Sequence, residues 1–204
     1  VGDRPGHNHD TSADNFAFLV RELFLYAVGG ALSYQRFEGV QLLLERPYYL
    51  NSNKSRVNTV VKPFTSFRTY LVSLEDHWNH DRINKTADLL KDRATRDDLT
   101  HDDVMQASLF LYLRAEADEF LDRGVSKYER WYPDALLYAK RRNTPFEVFG
   151  RAARGATEGV ETVLDLASWK DFVSLINRID QEKEFPKLDN RWPLEVPRLV
   201  GIQQ

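Results

Sequence analysis

Apolar residues return every three or four positions along segment after segment of this chain, and no stretch alternates apolar and polar residues long enough to build a sheet. That period places each apolar set on one face of a 3.6-residue repeat, so it limits the chain to helices packed on helices. The first set is Phe16, Leu19, Val20, Leu23, Phe24, Ala27, Val28 and Leu32, with Ser12 or Asp14 as the cap. Gly29 and Gly30 fall inside it, and each costs about 1 kcal/mol against Ala in a helix. The pair therefore marks a helix end or a place where a second backbone comes close. A shorter helix is expected from Gln35, with Phe37, Val40, Leu43 and Leu44, until Pro47 stops it.

Further segments repeat the pattern. Asn51 to Lys62 reads as a polar loop ending at Pro63. Helical spacing resumes through Phe64, Phe67, Tyr70, Leu71, Leu74 and Trp78, breaks near Asn79 to Asn84, and returns at Ala87, Leu89, Leu90 and Ala94. Thr100 caps the next helix, with Asp102 and Asp103 in a first turn whose positive dipole end favours them. Its apolar positions are Val104, Ala107, Leu109, Leu111, Tyr112 and Ala115, and Gly124 follows its last turn. Ala135 to Lys140 reads as helical. Thr144-Pro145-Phe146-Glu147 is the strongest local signal, with Thr144 at N-cap, Pro145 at N1 and Glu147 at N3 of a capping box. Ser168-Trp169-Lys170-Asp171 opens a last helix containing Phe172, Leu175, Ile176 and Ile179.

The expected fold class is all-α: an irregular multi-helix bundle. Residues 1–13 are expected as a flexible lead or linker and 14–180 as the helical domain. Residues 181–204, with Pro186, Pro193 and Pro197, are expected as an extended tail packed on or near the bundle. The chain starts at Val1 and its only methionine is Met105, so a further segment is expected upstream.

Composition narrows the chemistry. The 204 residues are 42% hydrophobic with 12 Phe, 9 Tyr and 4 Trp, enough for a real core. Charges of 28 and 31 leave a net −3, so no global field draws the chain to nucleic acid or an anionic membrane. With no cysteine there is no disulfide framework, thiolate zinc site or cysteine nucleophile. The most apolar stretch, Phe16 to Leu32, is interrupted by Arg21 and Glu22, so no membrane span is expected, and a cytoplasmic location is. Phosphate-loop, dinucleotide, zincin and nucleophile-elbow motifs are all missing, and no cofactor is expected.

Three constellations remain. His77 and His80 lie three apart between Asp76 and Asp81, a spacing that could hold a divalent ion. No third ligand at matching spacing supports them, so no metal is assigned and a solvated helix end beside Trp78 is the simpler reading. Arg96 to His101 has an R-x4-H form similar to the motif of HEPN-type ribonucleases, in which Arg holds phosphate and His moves a proton. With 19 Arg and five His in the chain such spacings also arise by chance, Arg4 to His9 being a second one, and a polar residue at a helix start needs no catalytic role. Lys140, Arg141, Arg142, Arg151 and Arg154 against Glu147 form a local patch of +4 (5 − 1) that could take an anion or an acidic partner. The alternative is pairing with the acidic helix end Glu116, Asp118, Glu119 and Asp122.

Several strings occur in a familiar order: Ala87-Asp88-Leu89-Leu90-Lys91-Asp92-Arg93-Ala94, Met105-Gln106-Ala107, Tyr112-Leu113-Arg114, Trp131-Tyr132-Pro133 and Pro145-Phe146-Glu147-Val148-Phe149-Gly150-Arg151-Ala152. Together they resemble, over residues 16–180, a helical C-terminal region found behind effector domains such as TIR-type domains in some bacterial proteins. That resemblance implies a non-catalytic accessory module of a larger prokaryotic protein, with defence among its roles. It would sense, oligomerise or regulate an upstream effector, and its partners would be that effector or a second copy. The alternatives are a HEPN-like metal-independent ribonuclease using Arg96 and His101, and a phosphate- or nucleotide-recognition module using the basic patch.

Overall fold

In the computed structural model the chain is an all-α bundle of helices of unequal length. The structure describes residues 14–51, 59–67, 71, 84–121, 123, 130–182, 185–186 and 194–202. The expected lead, residues 1–13, lies outside them. In chain order come α1 (Asp14–Ser33), α2 (Phe37–Glu45), β1 (Tyr48–Asn51), β2 (Thr59–Lys62) and a 3-10 turn at Phe64–Phe67. They are followed by α3 (Lys85–Arg93), β3 (Thr95–Arg96), β4 (Leu99–Thr100), α4 (His101–Phe120) and a 3-10 helix at Asp134–Arg141. The chain closes with α5 (Glu147–Ala152), α6 (Glu158–Leu164), α7 (Trp169–Glu182) and α8 (Val196–Leu199).

The axis of the fold is α4. Thr100 caps it as its sequence indicates: its hydroxyl accepts from the Asp103 amide while the Asp103 carboxylate accepts from the Thr100 amide. Every residue from Val104 to Asp118 is buried, so the helix has no solvent face where the sequence pattern indicated one apolar stripe. Around it pack α1, the 3-10 helix at 134–141, α6 and α7. Burial of polar side chains on such a helix is tolerable only with partners. Gln106 accepts from the Val148 amide at 3.0 Å, Ser108 accepts from the Trp131 indole at 3.4 Å, and Arg114 donates to Asp118 at 3.1 Å and to the Val163 carbonyl at 3.2 Å. Glu116, fully buried, lies 3.4 Å from Arg130 and 4.0 Å from Arg178.

Gly29 explains why α1 and α4 pack so closely. A Cβ there would stand 3.0 Å from the Asp103 carbonyl oxygen, so the two backbones are in contact. Gly30, one residue on, faces open space. Of the two readings of the glycine pair, helix end or close backbone, the second is the observed one. Aromatic rings lock the other side: Phe110, Phe149 and Phe172 stack in series at 4.3 and 5.8 Å, joining α4, α5 and α7.

Four local expectations change. Residues 48–51 and 59–62 pair as antiparallel strands, Tyr48 opposite Lys62 and Asn51 opposite Thr59, where a loop is expected from Asn51. The segment from Phe64 begins as a 3-10 turn at 64–67 and residue 71 is not helical; Tyr70, Leu74 and Trp78 lie outside the described residues. The Thr144 capping box does not form: α5 starts at Glu147 with Phe146 at the N-cap and no side-chain cap. Two distant partners take its place, Gln106 on the Val148 amide and the Leu199 carbonyl on the Phe146 amide at 3.0 Å. Finally, the described part of the tail is not wholly extended, because Pro197 sits in the first turn of α8 and Val196, Leu199 and Val200 are buried.

Candidate interaction surface

The first helix buries only part of its expected apolar set: Phe24, Val28 and Leu32 are in the core, while Phe16, Leu19 and Leu23 are exposed. Phe18, Arg21, Glu22, Leu25, Val28, Gly29 and Leu32 point inward, and two of those are charged. Each charge meets a built partner. Arg21, 4% exposed at its side chain, pairs with Asp134, donates to the Tyr132 carbonyl at 2.8 Å and lies 5.1 Å over the Trp131 ring. Asp134 is held from its other oxygen by Asn84 at 2.6 Å. Glu22 receives a two-pronged grip from Arg93, at 2.6 and 2.9 Å, and accepts from the Tyr26 hydroxyl at 2.9 Å. Burial, reinforced by the bond to Glu22, pushes the Tyr26 hydroxyl up to about 12.

With those charges turned inward, the opposite face of α1 is left apolar and outside. Phe16 is 70% exposed, Leu23 64% and Leu19 42%. At 100° per residue, positions 16, 19, 20, 23, 27 and 30 fall within about one quadrant to one third of the helix circumference. They read Phe, Leu, Val, Leu, Ala and Gly, so the stripe runs the length of the helix without a charge. Single exposed apolar residues are ordinary, but a contiguous uncharged row is the mark of a covered surface. By length and composition α1 could also cross a membrane, although 44% of the relevant window is buried inside the protein. The sequence held a signal for this surface: α1 is apolar on more than half its circumference, more than one core contact uses.

The basic patch is largely spoken for. Arg142 pairs with Asp102 and stacks 4.3 Å over Phe146. Arg151 pairs with Glu147 at 2.8 Å on its own helix. Of the acidic helix end offered as the alternative partner of the patch, Asp118 pairs with Arg114 and Arg123 and Glu119 with Arg130, and Asp122 lies outside the described residues. Lys140 gives its carbonyl to Arg198 at 3.3 Å, and the Arg141 side chain lies outside the described residues. Among the patch's described side chains Arg154 lines a cleft of about 870 Å³, beside Pro145, Gly150, Asp180, Glu195 and Arg198. Arg198, Asp180 and Glu195 come from segments the sequence reading did not connect with the patch, because only the fold of α8 against α5 and α7 brings them there.

Arg96 and His101 each have other partners. Arg96 sits on the exposed β3–β4 turn, holding Asp98 through two bonds of 2.8 Å, which draw the Asp98 carboxyl below its usual range. His101 opens α4 and packs edge-on to Tyr138, with ring centroids 5.6 Å apart. Burial lowers its pKa; Lys91 adds to this and Asp102 opposes it. Lys91 itself lies 4.2 Å over the Tyr138 ring, whose hydroxyl donates to Asp88. His77 and His80 lie outside the described residues, and among the described residues no group of three or more His, Asp or Glu could hold a metal. No family model, no curated protein and no solved structure matches the chain.

Proposed function

We propose that this chain is a non-catalytic helical accessory module of a larger prokaryotic, defence-type protein in the cytoplasm. It binds a protein partner through the outward face of α1 and so assembles or restrains an effector. The observation that carries the reading is the uncharged row Phe16, Leu19, Val20, Leu23, Ala27 and Gly30, opposite a face where two charges are buried with partners. A helix that turns Arg21 and Glu22 inward and phenylalanine and leucine outward gains nothing from that arrangement unless its outer face is covered. The resemblance to helical regions behind TIR-type effector domains points the same way. The ribonuclease reading draws less support, because Arg96 is held by Asp98 and His101 by its packing on Tyr138. Anion recognition is supported by Arg154 and the cleft it lines with Arg198.

A photo-reactive phenylalanine analogue at position 23, in the full-length protein in cells, tests the reading. A protein adduct of discrete mass from position 23, and none from position 42 on α2, is the expected result. Equal labelling at both positions, or no protein adduct at 23, would overturn it.

A further inference from the structure

Resting on that reading, we propose that the molecule covering α1 is a second copy of this chain, packed antiparallel about a two-fold axis at Leu23. The sizes along the row carry the register. In an antiparallel pair crossing at Leu23, Phe16 meets Gly30 of the other copy, Leu19 meets Ala27, and Leu23 meets itself. Large faces small at both of these steps away from the axis, and Val20 falls opposite Tyr26. Gly30 has nothing within 4 Å of where its Cβ would be, which leaves room for a phenylalanine ring. A parallel pair would set Phe16 on Phe16 and leave a gap between facing glycines.

Charge and area agree with this occupant. A two-fold axis brings like against like, and a row without charge tolerates that where a charged row would repel. Phe16, Leu19, Leu23 and the adjoining Tyr34, itself 69% exposed, with the smaller residues between them, offer ~500–600 Å² per copy. Doubling that reaches the ~1,000 Å² at which a specific interface begins, so the dimer is expected to be reversible. A lipid surface is a poorer match: an interfacial helix carries Lys and Arg along its rim, whereas the one cation of α1, Arg21, is buried.

The absence of cysteine makes the test clean, since each introduced thiol is the only one present. Two helices 8–10 Å apart place facing Cα atoms about 3.5–5.5 Å apart, overlapping the range that a disulfide spans. Leu23→Cys should therefore convert to a disulfide-linked dimer on mild oxidation, while Leu42→Cys on α2 stays monomeric. Phe16→Cys and Gly30→Cys should cross-link when mixed but not alone, because two copies of residue 16 stand about 21 Å apart in this register. A Leu23→Cys chain that remains monomeric with a freely reactive thiol overturns the proposal, as does a Phe16→Cys self-link. Wild-type chain floating with phosphatidylglycerol–phosphatidylcholine vesicles, with loss in Leu23→Lys, overturns it in favour of a membrane. If the Leu23→Cys chain stays monomeric while the photo-reactive residue at 23 still captures a heavier partner, the second copy falls and the interaction surface stands. If neither yields an adduct, both fall.

Discussion

Alanine at two neighbouring glycines of α1 should move stability in opposite directions. In a helix interior Gly→Ala gains about 0.5–1 kcal/mol, because Ala has less backbone freedom to lose on folding. Gly30 meets nothing within 4 Å, so Gly30→Ala should keep that full gain in dilute, monomeric protein. At Gly29 the added methyl would stand 3.0 Å from the carbonyl oxygen of Asp103 and 3.3 Å from its carbon. Those atoms are main chain in the first turns of α4 and cannot rotate away, so the helices must separate. Overpacking of that kind costs about 1–3 kcal/mol, which offsets the propensity gain and leaves Gly29→Ala destabilised by about 0–2 kcal/mol. The two variants should differ by about 1–3 kcal/mol in urea unfolding, with each kcal/mol read as about 2–4 °C in thermal melts of a chain this size. Equal stabilisation of both variants would show that α1 and α4 do not approach at Gly29, and the packing of the bundle axis would have to be redrawn.

Other perturbations test the groups that orient α1. Asp134→Ala strands Arg21 in the core with only the Tyr132 carbonyl, and should cost about 3–5 kcal/mol in chemical denaturation. Adding Arg21→Leu should restore most of it; no recovery would mean that the pair is not buried as described. Tyr26 is neutral in the fold up to about pH 12 against an ordinary 10, so its contribution is complete below pH 10 and is lost as pH rises from 10 towards 12. Tyr26→Phe should flatten that alkaline loss, followed by circular dichroism. His101 has the opposite sense: its lowered pKa gives stability that is present above pH 6.5 and falls as the pH drops below it. His101→Gln should weaken that acid dependence, and an unchanged slope would place the imidazole in solvent.

Much of the bundle was legible because its signals are local. Thr100 with Asp103 and Ser168 with Asp171 both cap helices as their spacing indicates. The Thr144 box failed because two distant partners, Gln106 and the Leu199 carbonyl, hold α5 at a different start, and no window of sequence contains them. The strand pair 48–51 and 59–62 is not legible because four-residue strands are too short for alternation to show. Phe24, Val28 and Leu32 of α1 are buried as their spacing indicates, but the exposure of Phe16, Leu19 and Leu23 is not legible: charge normally marks the wet side, and here Asp134 and Arg93 supply partners that make burial of Arg21 and Glu22 tolerable. Once those two turn in, the outward Phe16 and Leu23 follow from helix geometry alone.

Sedimentation equilibrium of the wild-type chain beside Leu23→Lys is the most direct test of the covered face. Leu23 is 64% exposed in the single chain, so lysine there leaves the bundle intact. A two-fold α1 interface predicts that the wild type moves from one chain to two with rising concentration while Leu23→Lys stays single throughout. Superposable monomeric profiles for both proteins at every concentration would contradict it.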